Sequence, residues 1–210
     1  MLPDVNDVRT DIRALANIFS QKLKEQIDIR SEEMKADDTS HHLIYNTLGI
    51  GQEYGKNIDL YQNIGRFLYK YAGSFLEESV IQIFKRTFQE DIKSKQKIVN
   101  NESRTPKTFE IDIVHGKNAY EVKWRDATTD GDHIAKEIHR IKAIKDHGYI
   151  PIRLMFFIPN RTQAINIQNR LREVYAVNHG EYYSGKDAWK YVHNKTGIDL
   201  HQILCDLSRE

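Results

Sequence analysis

Phe109-Glu110-Ile111-Asp112-Ile113-Val114-His115-Gly116-Lys117-Asn118-Ala119-Tyr120-Glu121-Val122-Lys123-Trp124 is the stretch on which the fold turns. Apolar and polar residues alternate on either side of His115-Gly116-Lys117-Asn118, which is the period of a strand, and that tetrapeptide reads as a turn. If Val114 pairs with Ala119, Asp112 falls opposite Glu121 and Glu110 opposite Lys123. Residues opposite each other in an antiparallel pair share a face, with Cβ atoms roughly 4.5–5.5 Å apart. One face is then expected to carry Glu110, Asp112, Glu121 and Lys123. The other, with Phe109, Ile111, Ile113, Tyr120, Val122 and Trp124, is the expected core side.

Two carboxylates held at that range repel. A divalent cation relieves the repulsion. Mg²⁺ in particular takes carboxylate oxygens, keeps several waters and adds phosphate oxygens from a substrate. Lys123 follows Glu121 on the same face, placed to hold a water or to offset charge growing on a phosphate. The plain alternative is a solvated outer face with ordinary Glu–Lys pairs. Three features weigh against it: the apolar inner face, the helix and buried strand that follow, and a third acid upstream. That acid is Glu77 or Glu78, in Gly73-Ser74-Phe75-Leu76-Glu77-Glu78, unless both merely favour a helix dipole.

Outward from the hairpin, the order of elements takes shape. Val5, Val8, Ile12, Leu15, Phe19, Leu23 and Ile27 predict an amphipathic helix reaching the mid-thirties. Residues 43–56, with three glycines, read as loop. Ile58 to Tyr71 predicts a second helix, and a third follows Gly73 through Leu76, Val80, Ile83, Phe84 and Phe88. Lys95 to Asn100 is a weaker strand. After the hairpin, a helix with Ile134, Ile138, Ile141 and Ile144 on its apolar side leads to Ile150–Ile158, an apolar strand broken only by Arg153. A helix through Ile165, Leu171, Val174 and Tyr175 ends at Gly180, and two shorter helices follow. The fold class is α/β: a mixed sheet flanked by helices, with an αβββαβ core and helical additions at both ends.

The composition excludes several classes. A chain of 210 residues with 40% hydrophobic and 29% charged residues can bury a core. Lys and Arg number 31 against 30 Asp and Glu, so a strongly basic, histone-like DNA binder is excluded. Residues 82–107 nevertheless hold 7 basic against 3 acidic side chains and lead directly into the hairpin. No run approaches a membrane span, and the acidic start of the chain lacks a signal-peptide layout. The single cysteine, Cys205, sits among Leu200, Ile203, Leu204 and Leu207 as a packing residue. The expected location is the cytoplasm. His41-His42 shows no matching carboxylate or third ligand nearby in sequence, so both read as loop residues.

Asp112, then eight residues, then Glu121-Val122-Lys123, on a hairpin inside helix–strand–strand–strand–helix–strand, resembles the PD-(D/E)XK nuclease superfamily. The resemblance covers residues 73–158, with Ile111 where the motif often has proline. It implies that Asp112 and Glu121 ligate Mg²⁺, with Mn²⁺ as a substitute, that Lys123 positions the attacking water, and that Glu77 is the accessory acid. Size and helical flanks are similar to a type II restriction endonuclease, with an ApaLI-like layout. Such an enzyme hydrolyses double-stranded DNA at a short palindromic site, normally as a homodimer. On this reading residues 1–210 are one nuclease domain, with a helical N-terminal subregion over 1–72, a catalytic core over 73–158 and a helical C-terminal subregion over 159–210. The alternatives are a junction resolvase or repair endonuclease of the same superfamily, or a non-catalytic interaction protein on the same scaffold.

Arg125, Thr128 and Thr129, in the polar segment leaving the second motif strand, are candidate DNA contacts, with Asp130 a helix cap. Lys136, His139 and Arg140 are either phosphate contacts or a solvated helix side. Tyr182, Tyr183 and Trp189 read as packing residues rather than DNA wedges.

Overall fold

The computed structural model describes residues 3–101, 106–125 and 132–210. The chain forms two compact units, Met1–Arg13 with Leu76–Glu210, and Ala14–Phe75. Thr128, Thr129 and Asp130 lie outside the described residues.

The first unit is built on five strands: β1 (Ile92–Val99), β2 (Thr108–His115), β3 (Asn118–Lys123), β4 (Ile150–Met155) and β5 (Glu181–Ser184). They lie in the order β1-β2-β3-β4-β5. The β1–β2 and β2–β3 pairs are antiparallel, and β3–β4 and β4–β5 are parallel, so the sheet is mixed. The crossover between β3 and β4 contains α4 (Asp132–Asp146), and that between β4 and β5 contains α5 (Thr162–Val177). Helices α6 (Lys186–Thr196) and α7 (Leu200–Leu207) follow. The α/β class is as expected. β5 is an addition to it, because four residues offer too little alternation to read.

The hairpin register is the expected one: Val114 pairs with Ala119 and Ile113 with Tyr120. The paired ladder stops there, one step short of Asp112 and Glu121. The division into two clean faces also fails. Ile111 to Val114 are four consecutive buried residues. One apolar cluster unites Phe109 and Ile111 with Val114, Ala119, Ala143 and Ile144, which strict alternation would place on opposite sides. The β1–β2 ladder pairs Ser94 with Ile113 and Gln96 with Ile111 and steps over Lys95 and Asp112 between them; Lys95 has a φ of 52°, left-handed and costly for a side chain with a Cβ.

Two helical expectations need correction. The stretch Ile58–Phe88 is not two helices parted at Gly73 but one, α3, spanning Gln52–Phe88. Phe67, Tyr71 and Phe75 keep their four-residue spacing through the glycine, and one interior glycine costs a helix only about 1 kcal/mol. Val80, Ile83 and Phe84 of α3 are fully buried, and the Phe84 ring meets Tyr120 of β3 edge-on at 5.1 Å. In α4 the buried side is Glu137, Ile141 and Ile144, while Ile138 is 43% exposed. The helix is thus turned by one position from the reading that put all its isoleucines inside, because a buried acid claims the place.

In the Ala14–Phe75 unit, α1 (Val5–Glu33) runs as expected into a short 3₁₀ turn ending at Ala36. Phe19 of α1 packs edge-on against Tyr71 and Phe75, at 6.4 and 6.1 Å. Residues 43–56 are more ordered than a loop: α2 (His42–Thr47) lies there, and α3 begins at Gln52. Gly49, with φ of 78°, ends α2 as a left-handed cap. Gly55 sits where a Cβ would come within 2.7 Å of the Tyr45 ring.

Candidate active site

Asp112 on β2 and Glu121 on β3 are both buried, 6% and 1% exposed. Charged groups are buried at this level only with partners. Asp112 Oδ2 accepts a hydrogen bond of 2.6 Å from the Val122 amide. That bond ties β2 to β3 beyond the point where the backbone ladder ends. Glu121 Oε1 receives Lys123 Nζ at 2.5 Å and also Arg140 Nη1 from α4. Glu121 Oε2, by contrast, is buried with no hydrogen-bond partner.

Glu77 comes to the same place from α3. Its carboxyl is raised from the ordinary value, first by burial and then by the Asp112 charge, against the pull of Lys95 and Lys123. Burial likewise raises Asp112, opposed by Lys123, the Val122 amide, Arg140 and Lys95. The Asp112 charge thus acts on Glu77, and Lys123 and Lys95 oppose the rise of both carboxyls. Lys95 Nζ lies 3.3 Å from Glu77 and also pairs with Glu78. Lys123 thus links the motif residues, paired with Glu121 and acting electrostatically on Asp112 and Glu77, while Glu78 pairs with Lys95; the oxygens of Asp112, Glu121 and Glu77 do not all gather within 4.8 Å of one another.

Behind them runs a charged chain that reading the sequence did not anticipate. Arg153, directly beside Glu121 in the parallel β3–β4 register, is wholly buried. Its Nη1 lies 3.0 Å from Glu137 Oε1, which also accepts the Tyr175 hydroxyl at 2.7 Å. Arg140 reaches back to Glu137 at 3.7 Å while holding Glu121, and its guanidinium lies 5.5 Å from the Phe109 ring centre. Desolvation is the main influence on Arg140, lowering its pKa. The signal for this chain was present in the sequence: a lone arginine inside an apolar strand must have a buried acid as partner. Of the other candidate contacts, Lys136 is exposed, and His139 and Arg125 are half-buried.

The donor set suits a hard divalent cation. All three acids offer oxygen only, and the unpartnered Glu121 Oε2 is what an ion would occupy. The α3-β1-β2-β3-α4-β4 order, carrying Glu77 on the helix and Asp112 and Glu121 on adjoining strands, defines a restriction-endonuclease-like α/β fold. A family model described as ApaLI-like restriction endonuclease matches residues 4–209, and the chain belongs to that family. Comparison with curated proteins finds no match.

Proposed function

We propose that the protein is a Mg²⁺-dependent type II restriction endonuclease that hydrolyses phosphodiester bonds in double-stranded DNA at a specific short palindromic site. The observation that carries this reading is the Glu121 carboxylate. One oxygen is held by two cations while the other lies buried and unpartnered.

When bound, Mg²⁺ supplies Lewis acidity to the phosphate and its water. Asp112, Glu121 Oε2 and Glu77 would hold it, and Mn²⁺ has the same oxygen preference. Lys123, a third exposed at the end of β3, orients the attacking water and offsets charge on the phosphate. Arg140 and Lys123 hold Glu121 Oε1 in place, so that reaction needs little rearrangement. Arg125, Thr128, Thr129, Lys136 and His139 follow the motif in sequence and are assigned to the DNA backbone near the cut. A two-fold pair of chains suits a palindromic site. Support for the pair comes from Leu43, Leu48, Tyr54 and Tyr61, all at least 70% exposed. No helix among the described residues is long and apolar enough to cross a membrane, and the reading places the enzyme in the cytoplasm beside its DNA.

The test is digestion of mapped plasmid DNA with Mg²⁺, comparing wild type with Asp112→Ala and Lys123→Ala. Discrete fragments are expected from wild type alone, with the variants slower by about 10²–10⁴-fold. Equal cleavage by all three overturns the site. Wild type that leaves many diverse DNAs intact overturns the function.

A further inference from the structure

A second constellation lies wholly within residues 14–75 and takes no part in the cleavage reading. His41 and His42 open α2, and Asp59 lies in the second turn of α3. The Nε2 atoms of both rings stand 2.9 Å from one and the same oxygen, Asp59 Oδ2. The other oxygen, Oδ1, accepts the Tyr45 hydroxyl at 3.0 Å. The imidazoles are 4.6 Å apart at 78° to each other, so their donor edges converge rather than stack. Among the described residues, this is the set of three His, Cys, Asp or Glu ligand atoms gathered within 4.8 Å.

As hydrogen bonds, these contacts require both rings to carry their hydrogen on Nε2, one to each lone pair of Oδ2. With the hydrogens on Nδ1 instead, the same three atoms present three lone pairs converging on one point, which a cation can take. The outer arrangement agrees. A ligating carboxylate is held by a hydrogen bond to its second oxygen, as Tyr45 holds Asp59.

The surroundings limit the ligand count. The three residues line an open cleft of about 680 Å³ that also takes in Asp37 and Asp38. Asp37 is held by Arg30 at 2.5 Å, and Asp38 by the Ser40 amide and hydroxyl at 2.8 and 2.7 Å. Their bonds go to these partners, and Asp59 is the carboxylate that both histidines contact. Three protein ligands and a position open to the cleft is the layout of a zinc site that keeps an exchangeable fourth ligand. Two imidazoles and one carboxylate select a late first-row divalent ion over Mg²⁺.

We infer that His41, His42 and Asp59 form a zinc-type divalent metal site, separate from the carboxylates of the hairpin, with water in its fourth position. The ion fastens the start of α2 to α3 across the Leu48–Gly51 connection.

The experiment titrates metal-stripped full-length protein with Zn²⁺, and with Co²⁺ read by its visible absorption. Asp112→Asn provides a background in which the hairpin acids are weakened. One equivalent of Zn²⁺ is expected in wild type and in Asp112→Asn, with an intense four-coordinate Co²⁺ spectrum. Asp59→Asn and the exposed-residue variant His41→Asn are expected to bind at least tenfold more weakly, with far-ultraviolet circular dichroism unchanged. Tyr45→Phe should weaken binding less than either. Unchanged affinity in both ligand variants, or no Zn²⁺ uptake by wild type, overturns the site. Neither result bears on Mg²⁺-dependent cleavage, which the Asp112 and Lys123 variants report separately.

Discussion

At the scale of single residues, the site balances charges in a space with little water. Asp112 is raised by burial, so the folded chain holds its proton more tightly than the unfolded chain does. For such a group stability is fully present below the ordinary value of 3.8 and is lost as pH rises through the higher folded value. Metal-free protein should therefore lose thermal stability as pH climbs from about 4 toward neutrality. Asp112→Asn should flatten that slope, and Mg²⁺ should restore wild-type stability at the upper end. Melting curves at several pH values, with chelator or Mg²⁺, are the measurement, and identical slopes in both proteins would refute it. Arg153 poses the reverse case. Arg153→Met leaves Glu137 buried with less compensation and should cost about 3–5 kcal/mol in urea unfolding. A loss below about 1 kcal/mol, the level of an exposed pair, would show that the charge chain adds little.

At the scale of elements, the sequence disclosed the hairpin and concealed its neighbours. The register of Val114 with Ala119 follows from turn length and alternation, and it holds. Asp112 and Glu121, expected directly across from each other, lie one step past the last paired residues, with Lys123 bonded to Glu121. What was not legible depends on partners distant in sequence. Glu137 turns inward only because Arg153 and Tyr175 await it, and this displaces Ile138 to the surface. Arg140, one turn on, then faces Glu121 instead of solvent. His41 and His42 gave no metal signal because Asp59 belongs to a helix whose start was read as loop. Glycines make these readings testable. A Cβ at Gly65, inside α3, would meet nothing within 4 Å, so Gly65→Ala should stabilise by up to about 1 kcal/mol. At Gly180 the same change would put a Cβ 2.7 Å from the Pro151 carbonyl oxygen and should destabilise. Calorimetry on the two variants should give melting shifts of opposite sign.

At the scale of the whole molecule, a formal charge of +1 gives little general attraction to polyanions. Positive charge is instead concentrated in residues 82–107, next to the motif strands. Binding should then depend on sequence contacts and metal more than on bulk electrostatics. The exposed apolar side chains of residues 43–61 belong to the proposed pairing of two chains. Leu48→Glu puts a charge at a position 70% exposed, where the fold itself should tolerate it. Light scattering after size exclusion should show wild type at twice the chain mass and the variant shifted toward the single chain. A wild type that stays at one chain mass at high concentration would remove the two-fold reading of the DNA site.

Lys95 has a consequence of another kind. Its left-handed backbone is one that glycine or asparagine adopts at lower cost, by about 1 kcal/mol for glycine over alanine. Yet a lysine stands there, bonded to both Glu77 and Glu78. Under laboratory selection for heat endurance alone, position 95 should therefore drift toward those smaller residues. Under selection for cleavage it should not, because the drift would remove the cation that faces the acids. Evolving the chain under each pressure in turn would show which of the two demands placed the lysine.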